Sequence, residues 1–353
     1  LLEPVVGPLN FRVASFQLAA SVGVKARPDK ANARATTLRA DASHVTVLAL
    51  NGFNLDTQHE DRARVNDPGR DVDDDVADGR FESLGRAIAH DAASPCIVAL
   101  QEIQDDDGAE LRDTVRAERT YAGLIGAVRR AGGPTYAWAD IPPESDADGG
   151  QPGGNIRNAY LSDPRRVQVV EGPQRRLGVD AAVFEGSRKP LAARFRLVEG
   201  DGEVENINVH LAPKRHQTGL FAPKQPGFDP RQALRVEQAE VIGAHLAELR
   251  ANDVDYYVTG DFNDFEFSPT LRALTGDHSV NLVDRVPAPL RFDYNHRGLS
   301  EALMHGVVAK RQLVDRAVEY EILHVNALTG TRPGRRGEKP SDHAYVIARL
   351  QLS

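Results

Sequence analysis

The stretch Val45-Thr-Val-Leu-Ala-Leu50 narrows the folds open to this chain. Its apolar residues run on instead of alternating with polar ones, so a strand made from it must be covered on both faces. Pro95-Cys-Ile-Val-Ala-Leu100 has the same character. Between them Phe81, Leu84, Gly85 and Ile88 recur at helical spacing and predict a helix over 80–91. Further helices are expected over 111–130 and 232–249, and another opens at Ser268-Pro269, with Ser as cap and Pro in the first turn. Strands are expected over 135–138, 255–259, 300–308, 320–325 and 345–352. Hairpins are expected from 155–161 with 167–170, across Ser162-Asp-Pro164, and from 191–198 with 204–211, across Gly200-Asp-Gly202. Hairpins mixed with helical crossovers, and no linker after residue 45, predict an α/β sandwich around a single core. Residues 1–44 read as a lead-in strand, near Phe11-Arg-Val-Ala-Ser-Phe16, and a linker; 45–353 form the domain.

The chain has 353 residues and a net charge of −8. A protein that grips a polyanion through many phosphate contacts usually shows a basic face. This one must concentrate positive charge locally or recruit a metal. Arg165-Arg166, Arg175-Arg176, Lys214-Arg215 and Arg335-Arg336 are the available pairs, and each alone reads as a solvated surface pair. No apolar run reaches the roughly 18 residues that a membrane span needs. The opening residues lack the basic region and apolar core of a signal peptide. The one cysteine, Cys96, lies in a buried strand and reads as a core thiol. Asp71-Val-Asp-Asp-Asp75 offers oxygens for calcium but lacks the Gly and Glu positions of an EF-hand loop, so it reads as a solvated loop. Nothing in the sequence points to a protein partner.

Polar residues recur where the expected buried strands end. They are Asn51, Glu102, Asn155 with Arg157, His210, Asp261 with Asn263, and Asp342 with His343. Each alone is an ordinary turn or cap. Gathered at one end of two packed sheets they would form a site. Glu102, Asn51 and Asp342 supply hard oxygen ligands, which suit magnesium or manganese better than zinc. The histidines and Arg157 suit phosphate chemistry as proton donors and charge clamps.

Asn51-Gly-Phe-Asn54, Leu100-Gln-Glu102, Gly153-Gly-Asn-Ile-Arg157, Asn208-Val-His210, Gly260-Asp-Phe-Asn-Asp264 and Ser341-Asp-His343 together resemble, in order, the motif set of the endonuclease/exonuclease/phosphatase superfamily. The chain is most similar to its large secreted bacterial nucleases, through Val98-Ala-Leu-Gln-Glu-Ile-Gln-Asp105, the phrase 149–157, Gly186-Ser-Arg-Lys-Pro-Leu191 and 260–269. The resemblance covers about residues 45–352. It implies a four-layer α/β/β/α sandwich of two packed mixed β-sheets flanked by helices. It further implies a metal-dependent phosphodiesterase acting on DNA, with an extracellular or cell-surface location. By position, Glu102 matches the principal metal ligand, with Asn51 and Asp342 near the same ion. Asp261 matches the residue that orients or deprotonates water. Asn263 and Asn155 match substrate contacts, His210 the general acid, Arg157 the phosphate clamp and His343 a second catalytic histidine.

The chain departs from that pattern. Met304, in Ala302-Leu-Met-His305, stands where the family has the Asp that pairs with the histidine matched by His343. The departure implies a His343 of lower pKa and freer orientation. Phe53 replaces a usual Glu, and Leu211-Ala-Pro213 replaces Phe-Asn-Ser. Two alternatives to a nuclease follow. One is a weakly catalytic or non-catalytic binding module, on Met304 and Phe53. The other is a phosphoesterase for a lipid or small phosphoester, on Leu220, Phe221 and Phe228 in the loop 212–229.

Overall fold

In a computed structural model the apolar run at Val45 becomes the strand His44–Leu55. Its successive side chains divide between two layers. Val45, Val47 and Ala49 enter the core between two sheets, whereas Leu48 and Leu50 face helices. The structure describes residues 5–12, 15–23, 35–66, 72–170, 172, 174–218, 222–223, 225–296, 299–326 and 339–352. Asp71, Leu220, Phe221 and the Arg335-Arg336 pair therefore lie outside the described residues.

The first sheet has six strands, ordered Val318–Leu323, Tyr345–Gln351, His44–Leu55, Ile97–Ile103, Arg157–Ser162 and Ala137–Asp140. The second has seven. Ser279–Asn281, Met304–Ala309, Tyr256–Asp261, Glu203–His210, Leu191–Leu197 and Val167–Val169 run across it, and Arg175–Arg176 adds to Leu191–Leu197. Both sheets are mixed, and each carries a parallel pair: His44–Leu55 with Ile97–Ile103, and Glu203–His210 with Tyr256–Asp261. The helices Arg80–Arg86 and Glu118–Arg130 cover the outer face of the first sheet through Phe81, Leu84, Tyr121 and Leu124. Gln232–Ala251 and Pro269–Thr275 cover the second through Ala239, Ile242, Leu246 and Leu271. The result is the α/β/β/α sandwich. Gly85 lets the first helix pair close, since a Cβ there would stand 2.6 Å from the Ala127 carbonyl carbon. Ser268 caps the last of these helices as expected, accepting from Leu271 N at 3.3 Å.

Several expected elements change. Arg157–Ser162 and Val167–Val169 are no hairpin: they belong to different sheets, because Ile97–Ile103 and Ala137–Asp140 already occupy both edges of the former. The helix expected from 111 starts at Glu118. The Asp106 carboxylate, reached through the preceding loop, accepts from Arg119 N (2.7 Å) and Thr120 N (3.3 Å) and so caps it from outside. The helix over 80–91 ends in a π turn, Ala87–Asp91. The strand expected over 300–308 breaks at Ala302 and Leu303, where the Asp293 carboxylate takes the N–H groups of Leu303 and Met304. The lead-in segment contains an antiparallel strand pair, Leu9–Arg12 with Ser15–Leu18, which pairs with neither large sheet among the described residues.

Candidate active site

The two parallel pairs deliver their C-terminal ends to the same place. His210 and Asp261 are register partners at the end of one pair, and Asn51 lies level with Gln101, next to Glu102, at the end of the other. Ligands in α/β folds gather at such carboxyl ends. Glu102 leaves the ladder at a register shift, with φ 54°. Phe53, Asn54 and Asn263 are also left-handed, so strained non-glycine backbone concentrates at these endings. Asn51 Oδ1 accepts from Phe53 N and Asp261 Oδ1 accepts from Asn263 N, each at 2.8 Å. These are matching Asx turns, which aim the side chains that the sequence places there. Gly260, at φ 132°, lets Asp261 lie this close to the neighbouring strand, since a Cβ would stand 2.1 Å from the Val209 carbonyl oxygen.

Asn51 Nδ2 donates to Glu102 Oε1 at 3.0 Å. His210 Nε2 stands 3.6 Å from Glu102 Oε1 and 3.6 Å from Asp261 Oδ2. One ligand atom each from Glu102, His210 and Asp261 fall within 4.8 Å of one another. Asp342 adds its charge beside them, and its buried Oδ1 has no hydrogen-bond partner among the described residues. Burial, then the Asp342 charge, pushes Glu102 up to about 7. Burial likewise raises Asp261 to about 6, against the pull of His343. Buried carboxylates crowded together, with an imidazole and a carboxamide at hand, are a donor set that fits a divalent cation. Of the residues expected at a metal, Glu102 is in this group and Asn51 and Asp342 flank it; His210 and Asp261 join it.

His343 is not left without support. Asp293, fully buried, places Oδ2 2.7 Å from His343 Nδ1 while its Oδ1 accepts from Leu303 N (2.6 Å) and Met304 N (3.0 Å). The carboxylate missing at Met304 thus arrives from a different segment, and Met304 itself lies in the core between the sheets. The Asp293 carbonyl also accepts from Ala344 N at 2.7 Å, tying the two segments together. The Tyr294 ring stacks on His343 with centroids 4.8 Å apart. Burial opposes a charge on His343, but Asp342, Asp261 and Asp293 outweigh it and raise the imidazole to about 10. The expectation of a lowered pKa and free orientation is therefore corrected. Its Nε2 faces Asp261 Oδ2 at 3.7 Å and Asp342 Oδ1 at 4.0 Å. His210 differs: burial, with Arg188 and His343 adding positive charge, holds it well below the usual imidazole range.

Other expected residues face elsewhere. Arg157 is buried and donates to Asp140 Oδ2 (3.1 Å) and to the Asn155 carbonyl (3.1 and 2.9 Å). Asn155 donates to Asp105 Oδ2 and the Thr114 carbonyl and accepts from Asp146 N, each at 2.8 Å. Both brace the loops behind the site. The cavity beside Glu102 and His210 is lined instead by Arg188, Arg215 and Gln151. Arg188 Nη2 donates to the Leu211 carbonyl at 3.0 Å, and its buried Nε has no partner among the described residues. Arg188 lies in the noted phrase 186–191, which was the available signal. Asp293 had only an acid between two aromatics, Phe292 and Tyr294. Behind the site Gln101 Nε2 donates to Asn208 Oδ1 at 2.6 Å, and Asn208 Nδ2 donates to the carbonyls of Leu100 (2.8 Å) and Ala159 (3.0 Å). This buried clasp locks the two sheets in the register that brings Glu102 to His210.

No protein-family model matches the sequence, and no curated protein matches it. Solved structures do match. The catalytic domain of human Nocturnin, with a bound sulfate anion, aligns with a TM-score of 0.55 at 14% identity, over 88% of this chain and 95% of that one. Truncated TDP2 from Caenorhabditis elegans aligns at 0.53 and 12% identity, over 88% and 100%. An endonuclease/exonuclease/phosphatase from Bacteroides vulgatus aligns at 0.52 and 15% identity, also over 88% and 100%. The chain has the endonuclease/exonuclease/phosphatase fold.

Proposed function

We propose that the chain is a divalent-metal-dependent phosphodiesterase that hydrolyses DNA. The observation that carries this reading is the convergence of Glu102, His210 and Asp261 beside the His343–Asp293 pair. Glu102 and His210, with Asn51 and Asp342 alongside, would hold a divalent cation such as magnesium or manganese. When bound there, it would supply positive charge to offset that of the phosphodiester. Asp261 orients the attacking water and takes its proton as the water oxygen bonds phosphorus and the ester P–O bond breaks, the leaving oxygen drawing its proton from solvent; Asn263 steadies Asp261 through N–H bonds to both carboxylate oxygens, at 2.8 and 3.2 Å. His343, kept cationic and aimed by Asp293, meets the charge that develops on the phosphate. Burial and the nearby Arg188 charge disfavour a proton on His210, which suits a ligand or acceptor better than a general acid. Arg188 replaces Arg157 as the phosphate clamp.

The test is hydrolysis of bis-p-nitrophenyl phosphate with magnesium, manganese or EDTA. The expected result is turnover with either metal, none in EDTA, and a loss of about a hundredfold or more in Glu102→Ala. Equal rates for Glu102→Ala and the unchanged protein would overturn the assignment. The non-catalytic binding module loses its first motive, because Asp293 supports His343.

A further inference from the structure

The turn directly after Asn263 carries aromatic rings that no folding argument requires. Phe267 is 67% exposed, and across a groove Phe228 is 65% exposed. Phe265 and Phe267 stack, with centroids 5.4 Å apart and planes 25° apart. Lys214 Nζ lies 4.0 Å from the centroid of Phe265 and also bonds Asp264 Oδ1 at 2.9 Å, so that ring is held from behind. The groove is lined by Lys214, Phe228, Phe265, Phe267 and Arg272. It shares a wall with the cavity at Glu102: Pro213 and Arg215 line that cavity, and Lys214 between them lines the groove.

We propose that this groove is a stacking subsite for an unpaired nucleobase of the strand whose phosphodiester lies at Glu102 and Asp261. The inference rests on the phosphodiesterase reading and narrows its substrate to nucleic acid that exposes an unpaired base, as single strands and the unwound stretches of a supercoiled duplex do. A base reaches an aromatic ring only when it leaves its own stack, which single strands permit and duplexes resist. Lys214 is already neutralised by Asp264 and by Asp229 at 3.6 Å, and Arg272 donates to the Phe267 carbonyl, so the exposed rings and not the Lys214 ammonium are what the groove offers a ligand. That choice agrees with a net charge of −8, which leaves little general attraction for a polyanion. Ring stacking needs no base identity, so the subsite is tolerant of sequence.

Fluorescence anisotropy at low salt in EDTA, where nothing is cut, compares a labelled decathymidylate with a tetrahydrofuran (abasic) strand of equal length and charge. The expected result is binding of the base-bearing strand about tenfold tighter, with the preference lost in Phe267→Ala and reduced in Phe228→Ala. Both rings are exposed, so neither substitution disturbs the core, and Phe267→Trp should restore the preference. Equal affinity for the two strands, or a preference that survives both alanine variants, would overturn the proposal. Sedimentation with phosphatidylcholine–phosphatidylserine vesicles that depends on Phe267 would assign the face to a membrane and overturn it as well. Because the binding needs neither metal nor turnover, a stacking preference without hydrolysis would sink only the phosphodiesterase reading. Hydrolysis without a preference would sink only the subsite.

Discussion

Replacing Asp293 with Asn is the most discriminating change to this site. Asp293 is buried, with one oxygen on His343 Nδ1 at 2.7 Å and the other on the N–H groups of Leu303 and Met304. Asn has the same shape but only one acceptor oxygen. Leaving two buried N–H groups unpaired costs about 1–3 kcal/mol each, so the amide oxygen stays with Leu303 and Met304. The NH2 group then faces His343 Nδ1, which becomes an acceptor. That removes a buried charge-assisted hydrogen bond, moves the ring proton to Nε2 and disfavours the imidazolium. The expected loss in kcat is on the order of a hundredfold to ten-thousandfold, with a smaller change in KM. The assay is steady-state hydrolysis of a phosphodiester across pH, with the His343 ring followed by NMR. A kcat within about threefold of the unchanged protein, with the same pH profile, would refute the reasoning.

Other predictions follow from the same contacts. Met304→Asp should yield no gain in rate and should cost about 3 kcal/mol or more in a urea titration, because it buries a carboxylate in the inter-sheet core beside Asp293. In EDTA, the stability that charged His343 contributes should be complete below its ordinary 6.5 and fall away as pH rises toward about 10. Asp293→Asn should bring that decline to lower pH, and an unmoved curve would count against the pairing. Burial opposes the charge of Asp264, but Lys214 and Arg235 hold it at about 2, so its contribution is present above 3.8 and lost as pH falls toward about 2. Asp264→Asn should flatten acid unfolding over that window and cost about 2 kcal/mol near neutral pH; an unchanged slope would show that the ion pair contributes nothing.

What was legible in the sequence follows from what is local. Val45 to Leu50 and Cys96 to Leu100 had to be buried strands, because an apolar run has no solvent face to offer. Asn51, Glu102, His210 and Asp261 stood at the carboxyl ends of strands in parallel pairs, and His343 just before Tyr345–Gln351, which runs antiparallel to His44–Leu55 and so starts where that strand ends. The Asp261–Asn263 turn was legible as a turn, but its aim depends on Gly260, whose close approach to Val209 is tertiary. Asp293 was invisible for the same reason: its pairing with His343 spans 50 positions, and no periodicity marks it. Arg157 misled because a basic residue at a strand end looks identical whether it points into the site or back to Asp140. The helix start at 111 misled because its cap, Asp106, lies outside the helical window.

The most direct test of the account is nicking of supercoiled plasmid by the unchanged protein and by Glu102→Ala, side by side in magnesium and in EDTA. The account predicts nicking only by the unchanged protein and only with the metal. Nicking that persists in EDTA, or that Glu102→Ala performs at the same rate, would contradict it.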